Sequence, residues 1–335
     1  MKSRKQLHPL RFKPVYKDYI WGGNKIIRMY NRQEPPGTYA ESWELSDRSE
    51  GMSVVCNGPL AGLSLREIVQ GFQSDVLGEG RRADAFPLMV KLIDSRERLS
   101  VQVHPNDQSA KKYGGEPKTE MWYVLDAEPG AGVYAGLKFG VNAKSFGKAM
   151  QSKRLGEILT RIPVSRGDAI FIPGGLVHAI DAGCLLLEVQ QNSNTTYRIY
   201  DWDRLGAGGK PRPLNVQEAL QVIRWDARDN PKVQPRDLGL CGGNHFWEVL
   251  RCPYFRVERI LISERMPLVM DGSSFSILFV ASGRVQVESG GAGELLVPGS
   301  TCLLPAALKD CVLKPLEAPA EVLRVTASAT TSLSS

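Results

Sequence analysis

Short alternations of apolar and polar residues recur along most of the chain, and glycine or proline separates one from the next. The segments "LSVQVHP", "TEMWYVL", "DAIFIP", "CLLLEVQ", "TYRIYDW", "RVERILIS", "SILFVAS", "RVQVES" and "ELLVP" each read as a strand. Many short strands with turn signals between them predict a mainly β architecture, a sandwich or barrel. Helical periodicity is confined to two stretches. "LSLREIVQGF" opens with Ser64 and Glu67, the spacing of a capping box. "RLGEILTRI" puts Leu155, Ile158, Leu159 and Ile162 on one face of a helix. Both helices are expected to cover the β core.

A weak internal repeat divides the chain. Gly167, five residues and Pro173 in "GDAIFIPGG" are echoed by Gly299, five residues and Pro305 in "GSTCLLPAA". Upstream of each lies a strand and a glycine turn. Two β-barrels in tandem follow: residues 1–235 as the first domain, 236–328 as the second, and 329–335 as a small, polar, disordered tail. The polar stretch "RDNPKVQPRD", starting at Arg228, reads as the linker between them. The second copy has no histidine at its corner, so it has lost whatever the first one holds.

Charge and cysteine content narrow the function classes. Of 42 Lys and Arg, six (Lys2, Arg4, Lys5, Arg11, Lys13, Lys17) precede Asp18; the other 36 balance the 36 acids, so the net charge of +6 is local. A nucleic-acid-coating surface is therefore not expected, and the basic arm reads as a solvated leader. No apolar run is long enough to cross a bilayer, and the N-terminus lacks the apolar stretch of a secretory signal. The six scattered cysteines contain no CxxC pair and read as reduced thiols of a cytoplasmic protein. Any metal would need His, carboxylate or amide ligands.

Such ligands are available. Residues two apart on a strand share a face, so Leu99, Val101 and Val103 lie opposite Ser100, Gln102 and His104. Lys118, Glu120 and Trp122 likewise share a face, and His178 follows the Pro-Gly-Gly corner. If the polar faces turn inward, Gln102, His104, Glu120 and His178 converge into a ligand set for Zn²⁺ or a similar divalent ion. The other two histidines, His8 and His245, look ordinary. The same two-His, one-carboxylate set would also suit an Fe²⁺ oxygenase. A binding or regulatory protein without catalysis is a third reading, and oxygen uptake or metal content would separate the three.

The corner "G-x5-P-x-G-x2-H", formed by Gly167, Pro173, Gly175 and His178, resembles the second motif of the cupin superfamily. The longer words "SVQVHPND", "KTEMWYVL", "IPGGLVHAI" and "LLEVQQNSNTTYRIYDWDR" resemble the type I mannose-6-phosphate isomerases in their short bacterial form. "YIWGG", "ESWELSD" and "GLSLREIV" extend that similarity toward the N-terminus; it runs from about residue 10 to about 217. The resemblance implies two cupin (jelly-roll) barrels with a few covering helices, and one Zn²⁺ per chain on Gln102, His104, Glu120 and His178. It implies Arg198 as the active-site arginine, against the simpler reading of an ion pair with Asp201 or Asp203.

The implied reaction interconverts mannose 6-phosphate and fructose 6-phosphate through a cis-enediol. A Lewis-acidic metal would polarise the carbonyl, and a base must lie within hydrogen-bond reach of the moving proton. Lys118 and Glu188 are the candidates for the base, and Lys118 also for substrate contact. The phosphate needs cationic side chains, because "GAGGK" (206–210) lacks the spacing of a phosphate loop. Trp21 and Trp43 could present apolar faces to a sugar ring. The sugar phosphate is the one partner expected, without nucleic acid or membrane.

Overall fold

The computed structural model describes residues 6–206, 208–227 and 230–328. It is mainly β, with a few short helices, and its sheets have the non-sequential strand order of jelly rolls. Two compact units make up the chain. One comprises Tyr16–Ser42 and Val90–Val233; the other comprises the residues up to Val15, Trp43–Met89 and those from Gln234 onward.

In the first unit the chain alternates between two sheets. The five-stranded sheet has the order Tyr197–Tyr200, Val101–Val103, His178–Ile180, Gly132–Leu137 and Leu159–Pro163. In the seven-stranded sheet, Lys232–Val233, Ala169–Ile172, Glu120–Ala127, Cys184–Gln191 and Leu88–Ser95 run side by side before its last two strands. Period-two alternation sorts the side chains cleanly. Trp122, Val124, Ile170 and Leu186 from one sheet share a buried cluster with Val133, Ala135 and Ile180 from the other. On its opposite face the five-stranded sheet buries Val101, Val103, Ala179 and Ile199 under Phe146, Ala149, Ala219 and Val222 of two helices, Ala143–Gln151 and Val216–Val222. The apolar core therefore occupies most of the space between the sheets, and the polar residues on the same inner faces are left to form a site.

Several expectations need correction. The segment 155–162 is not one helix: Leu155–Ile158 forms a single turn and Leu159–Pro163 a strand against Gly132–Leu137. A four-residue apolar period fits either element in so short a run, and cross-strand pairing decides it. Leu99 does not lie with Val101 and Val103; it precedes the strand and joins the inner cluster. The basic arm is not a solvated leader throughout: Leu10–Arg11 pairs with Leu303 and Cys302, and Phe12 bridges Val55, while Lys2, Arg4 and Lys5 lie outside the described residues. These pairings place residues 6–15 and 43–89 with the second unit rather than with the rest of 1–235. Within the expected linker, Lys232–Val233 is an edge strand paired with Ile170 and Ala169. Arg228 and the tail 329–335 lie outside the described residues.

In the second unit, nine strands form one sheet whose main path runs from Leu10–Arg11 to Arg236–Cys241. The helix Leu65–Phe72 starts as its sequence predicts, with Ser64 and Glu67 forming the reciprocal cap and Ile68 and Val69 buried. The repeat is real at the level of the backbone. Gly167 and Gly299 turn at φ of +89° and +81°, and each leads into a four-residue strand, Ala169–Ile172 and Thr301–Leu304, that ends at a proline.

Candidate metal centre and its pocket

The strand register decides which polar side chains meet. Gln102 lies between Arg198 and His178 on neighbouring antiparallel strands, so the three share the inner face of the five-stranded sheet. Across from them, Glu120 pairs with Gln190 and Trp122 with Glu188, on the inner face of the seven-stranded sheet. His104 follows directly on the strand that carries Gln102.

The corner at 173–176 ties these segments together. The Gly175 amide donates to the His104 carbonyl at 2.7 Å, and the Gly174 amide donates to Thr119 Oγ1 at 3.2 Å, next to Glu120. Each glycine is needed for its own reason. A Cβ on Gly174 would fall 2.7 Å from the Asn106 Cα and the Pro105 oxygen, whereas Gly175 turns at φ of +89°. Beyond the corner, the Leu176 carbonyl accepts from His178 Nδ1 at 2.8 Å, which leaves Nε2 to point inward.

His104, Glu120 and His178 consequently form a fully buried cluster, with one ligand atom from each lying within 4.8 Å of the others. Glu120 Oε2 is 3.4 Å from His104 Nε2, and Oε1 is 3.5 Å from His178 Nε2. Gln102 brings its amide to 3.2 Å from His178 Nε2. Lys118, also buried, has its ammonium 2.5 Å from Glu120 Oε2 and 3.3 Å from His104 Nε2. Neither oxygen of Glu120 has a well-directed hydrogen bond, despite that close ammonium.

Electrostatics fixes the protonation states. Burial, assisted by the Lys118 charge, pushes His104 down to about 3, and burial lowers His178 as well. Both imidazoles are thus neutral and able to ligate. Burial opposes ionisation of Glu120, but Lys118 and then the two histidines outweigh it and hold the carboxyl well below its usual range. Two neutral nitrogen donors, an ionised carboxylate without well-directed partners and a nearby amide fit a divalent cation.

The cluster borders a cavity of about 290 Å³ that Gln102 and Lys118 line together with Glu188, Lys91, Arg198 and Arg212. Glu188 accepts from Trp122 Nε1 at 2.9 Å and stands 3.5 Å from Lys91 and 3.8 Å from Lys118. Burial, then the charge of Glu120, raises its pKa. Lys91 remains charged because Glu41, Glu188 and Glu120 outweigh its burial. Arg198 makes no ion pair with Asp201 or Asp203. Its Nε donates to Ser100 Oγ and its NH1 to the Pro213 carbonyl, while Asp201 binds Arg204 and Arg212, and Asp203 binds Lys153.

Trp21 lines this cavity; Trp43 is buried in the second unit and does not. In "GAGGK" the Gly206 amide donates to the Lys210 carbonyl at 2.8 Å; residue 207 lies outside the described residues. His8 and His245 serve locally, at Gln6 and Asn57 and at Asp237 respectively. Sequence reasoning missed Lys91 and Arg212. A single lysine inside the apolar run "LMVKLIDS" was the available signal for the first.

Fold and site together define a double-sheet β protein with a buried His/Glu/His cluster beside a cationic pocket. Residues 10–131 match the family model "Phosphomannose isomerase type I, catalytic domain". The chain is 34% identical over 303 residues to the probable mannose-6-phosphate isomerase GmuF of Bacillus subtilis, covering 89% of this chain and 94% of that one. It is 33% identical over 295 residues to the mannose-6-phosphate isomerase of Streptococcus mutans, covering 87% and 90%. The crystal structure of the mannose 6-phosphate isomerase from Bacillus subtilis superposes with a TM-score of 0.87 at 30% identity, over 95% of this chain and 99% of that one. The chain belongs to the type I phosphomannose isomerase family.

Proposed function

We propose that this chain interconverts mannose 6-phosphate and fructose 6-phosphate through a cis-enediol, using one divalent cation, Zn²⁺ by the donor set. The observation that carries the reading is the convergence of His104, Glu120 and His178 beside a pocket rich in Lys and Arg. These three residues, with Gln102 as a fourth, would hold the ion; when bound, it would act as a Lewis acid toward the sugar's C1 and C2 oxygens. Lys118, whose ammonium meets Glu120 and lines the cavity, would face the same carboxylate as such a cation.

The chain's own residues divide the remaining work. Arg198 and Arg212 share the cavity: Arg212 would offer the phosphoryl group a cationic contact, and Arg198 a second positive group beside the oxyanion that develops at the reacting carbons. Arg212 is held by Asp201 at 2.7 and 2.6 Å, so its guanidinium is fixed before substrate arrives. Proton transfer between C2 and C1 falls to Lys118 or Glu188, the titratable groups between the cluster and Lys91. The buried, partly unsatisfied Glu188 Oε1 suits a proton acceptor. The sheets exclude bulk water from this end of the pocket.

The test is to incubate the protein with mannose 6-phosphate and follow fructose 6-phosphate through a coupled reductase. Product formation that Glu120→Gln abolishes is expected. Turnover of other sugar phosphates with none of mannose 6-phosphate would overturn the substrate assignment.

A further inference from the structure

The second unit has no counterpart of the His178 corner, yet the inner face of its sheet turns polar at one end. Ile260 and Ile262, Leu278 and Val280, and Ala320 and Val322 form its buried cluster. Continuing along the same faces by steps of two, the sheet presents Glu258 and Arg256, Ser276, and Arg324 and Thr326. Register confirms their adjacency: Glu258 pairs with Arg324 and Arg256 with Thr326. Charges on an inward face are unfavourable for folding unless they are paired or used.

Pairing accounts for only part of the charge. Arg256 meets Glu248 and Glu258 at 2.7 Å each, and Arg324 reaches Glu258 at 3.6 Å while donating to Ser276 Oγ. Arg251 binds Glu248 at 2.8 Å. Arg81 approaches from the loop after Ser74–Leu77 and has no carboxylate partner among the described residues. Among the described residues it donates only to the carbonyls of Ser273 and Ser328, and its NH1 has no hydrogen-bond partner there. These four arginines line a cavity of about 540 Å³ with Glu258 and Asp271, an excess of two positive charges. Val269, Met270 and Ala327 supply an apolar wall.

We propose that this cavity is a binding site for a phosphoryl dianion, separate from the candidate metal centre. A phosphomonoester carries about −1.5 to −2 charges at pH 7, which matches the excess, and its oxygens suit forked guanidinium donors. The apolar wall would take the body of a small phosphorylated metabolite; free phosphate shares the same anionic chemistry.

Calorimetric titration of the full chain with inorganic phosphate tests the proposal, alongside Arg81→Gln and Arg251→Gln. The second variant changes an exposed side chain and protects the test against a folding defect in the first. Two sites per chain are expected, one of them weakened at least about tenfold by either substitution, while the other keeps its affinity. Tighter binding of a sugar phosphate than of phosphate at the sensitive site identifies a metabolite; equal affinity identifies the free anion. Binding that is indifferent to both substitutions, at one site or two, overturns it; a single site that both weaken supports it and counts instead against phosphate binding beside the metal centre.

Discussion

The Gly175 amide donates to the His104 carbonyl at 2.7 Å, so the turn that aims His178 also holds the backbone of a second residue of the cluster. The two histidines are 74 residues apart in sequence, and their rings lie 4.7 Å apart, centroid to centroid. One corner therefore sets the spacing of both.

Gly174→Ala should break that relationship. Its new Cβ would press on the Pro105–Asn106 backbone, which cannot swing aside as a side chain would. A loss of about 1–3 kcal/mol in unfolding free energy is expected, together with weaker metal binding. Denaturant melts and metal titration of the variant check it; unchanged values in both would mean that the corner does not position the cluster.

The period-two reading of "SVQVHP" and "KTEMW" put Gln102, His104 and Glu120 on candidate inward faces. The structure brings these side chains together, with His104 and Lys118 just outside the strands Val101–Val103 and Glu120–Ala127, because residues flanking a short strand continue its alternation. The Pro-Gly-Gly corner marked His178 for a similar reason. The partners in the pocket were harder to read. Lys91 sits in a strand buried on both faces, where no alternation reveals which way a side chain points, and Arg212 lies in a loop placed by Asp201. At 155–163 a helical period misled, since the partner strand Gly132–Leu137 is remote in sequence. The membership of residues 43–89 in the second unit was invisible for the same reason: it rests on long-range contacts such as the Ala306 amide to the Val76 carbonyl.

Arg198→Gln and Arg212→Gln should separate two roles. Arg198 lines the cavity without a carboxylate partner among the described residues, so its loss removes a charge-assisted contact worth about 1.5–3 kcal/mol, about 10- to 150-fold in kcat/KM. Arg212→Gln should act chiefly on KM, because its guanidinium is tied to Asp201 and contributes to binding rather than to the reacting carbons. Steady-state kinetics on mannose 6-phosphate decide between this division and a purely structural role, in which kcat/KM would track the loss of folded protein.

Asp94 should make a contribution to stability that falls as pH rises past the acid range. Burial raises this carboxyl to about 6, above its usual 3.8, even though the Lys25 amide donates to it. Because the folded pKa is the higher one, the fold favours the protonated form. The contribution of Asp94 to stability is then greatest below about pH 4, declines through pH 6 and levels off above, by roughly 2–3 kcal/mol in total. Asp94→Asn should remove this dependence and melt higher than the parent at pH 8. A pH-independent difference between the two proteins would contradict it.

His178→Ala removes one ligand atom and leaves the Leu176 carbonyl without its imidazole donor. Metal content should drop and turnover should fall by about 100-fold or more, several kcal/mol of lost charge stabilisation. Trp122→Phe offers a milder contrast. It deprives Glu188 of a buried donor, costs about 1–3 kcal/mol of stability, and leaves the metal in place.

The most direct test measures metal content and mannose 6-phosphate isomerisation on one sample, before chelation, after it, and after zinc is returned. About one ion per chain is expected, lost together with turnover and restored together with it. Isomerisation that persists after complete removal of the metal would contradict the role given to His104, Glu120 and His178.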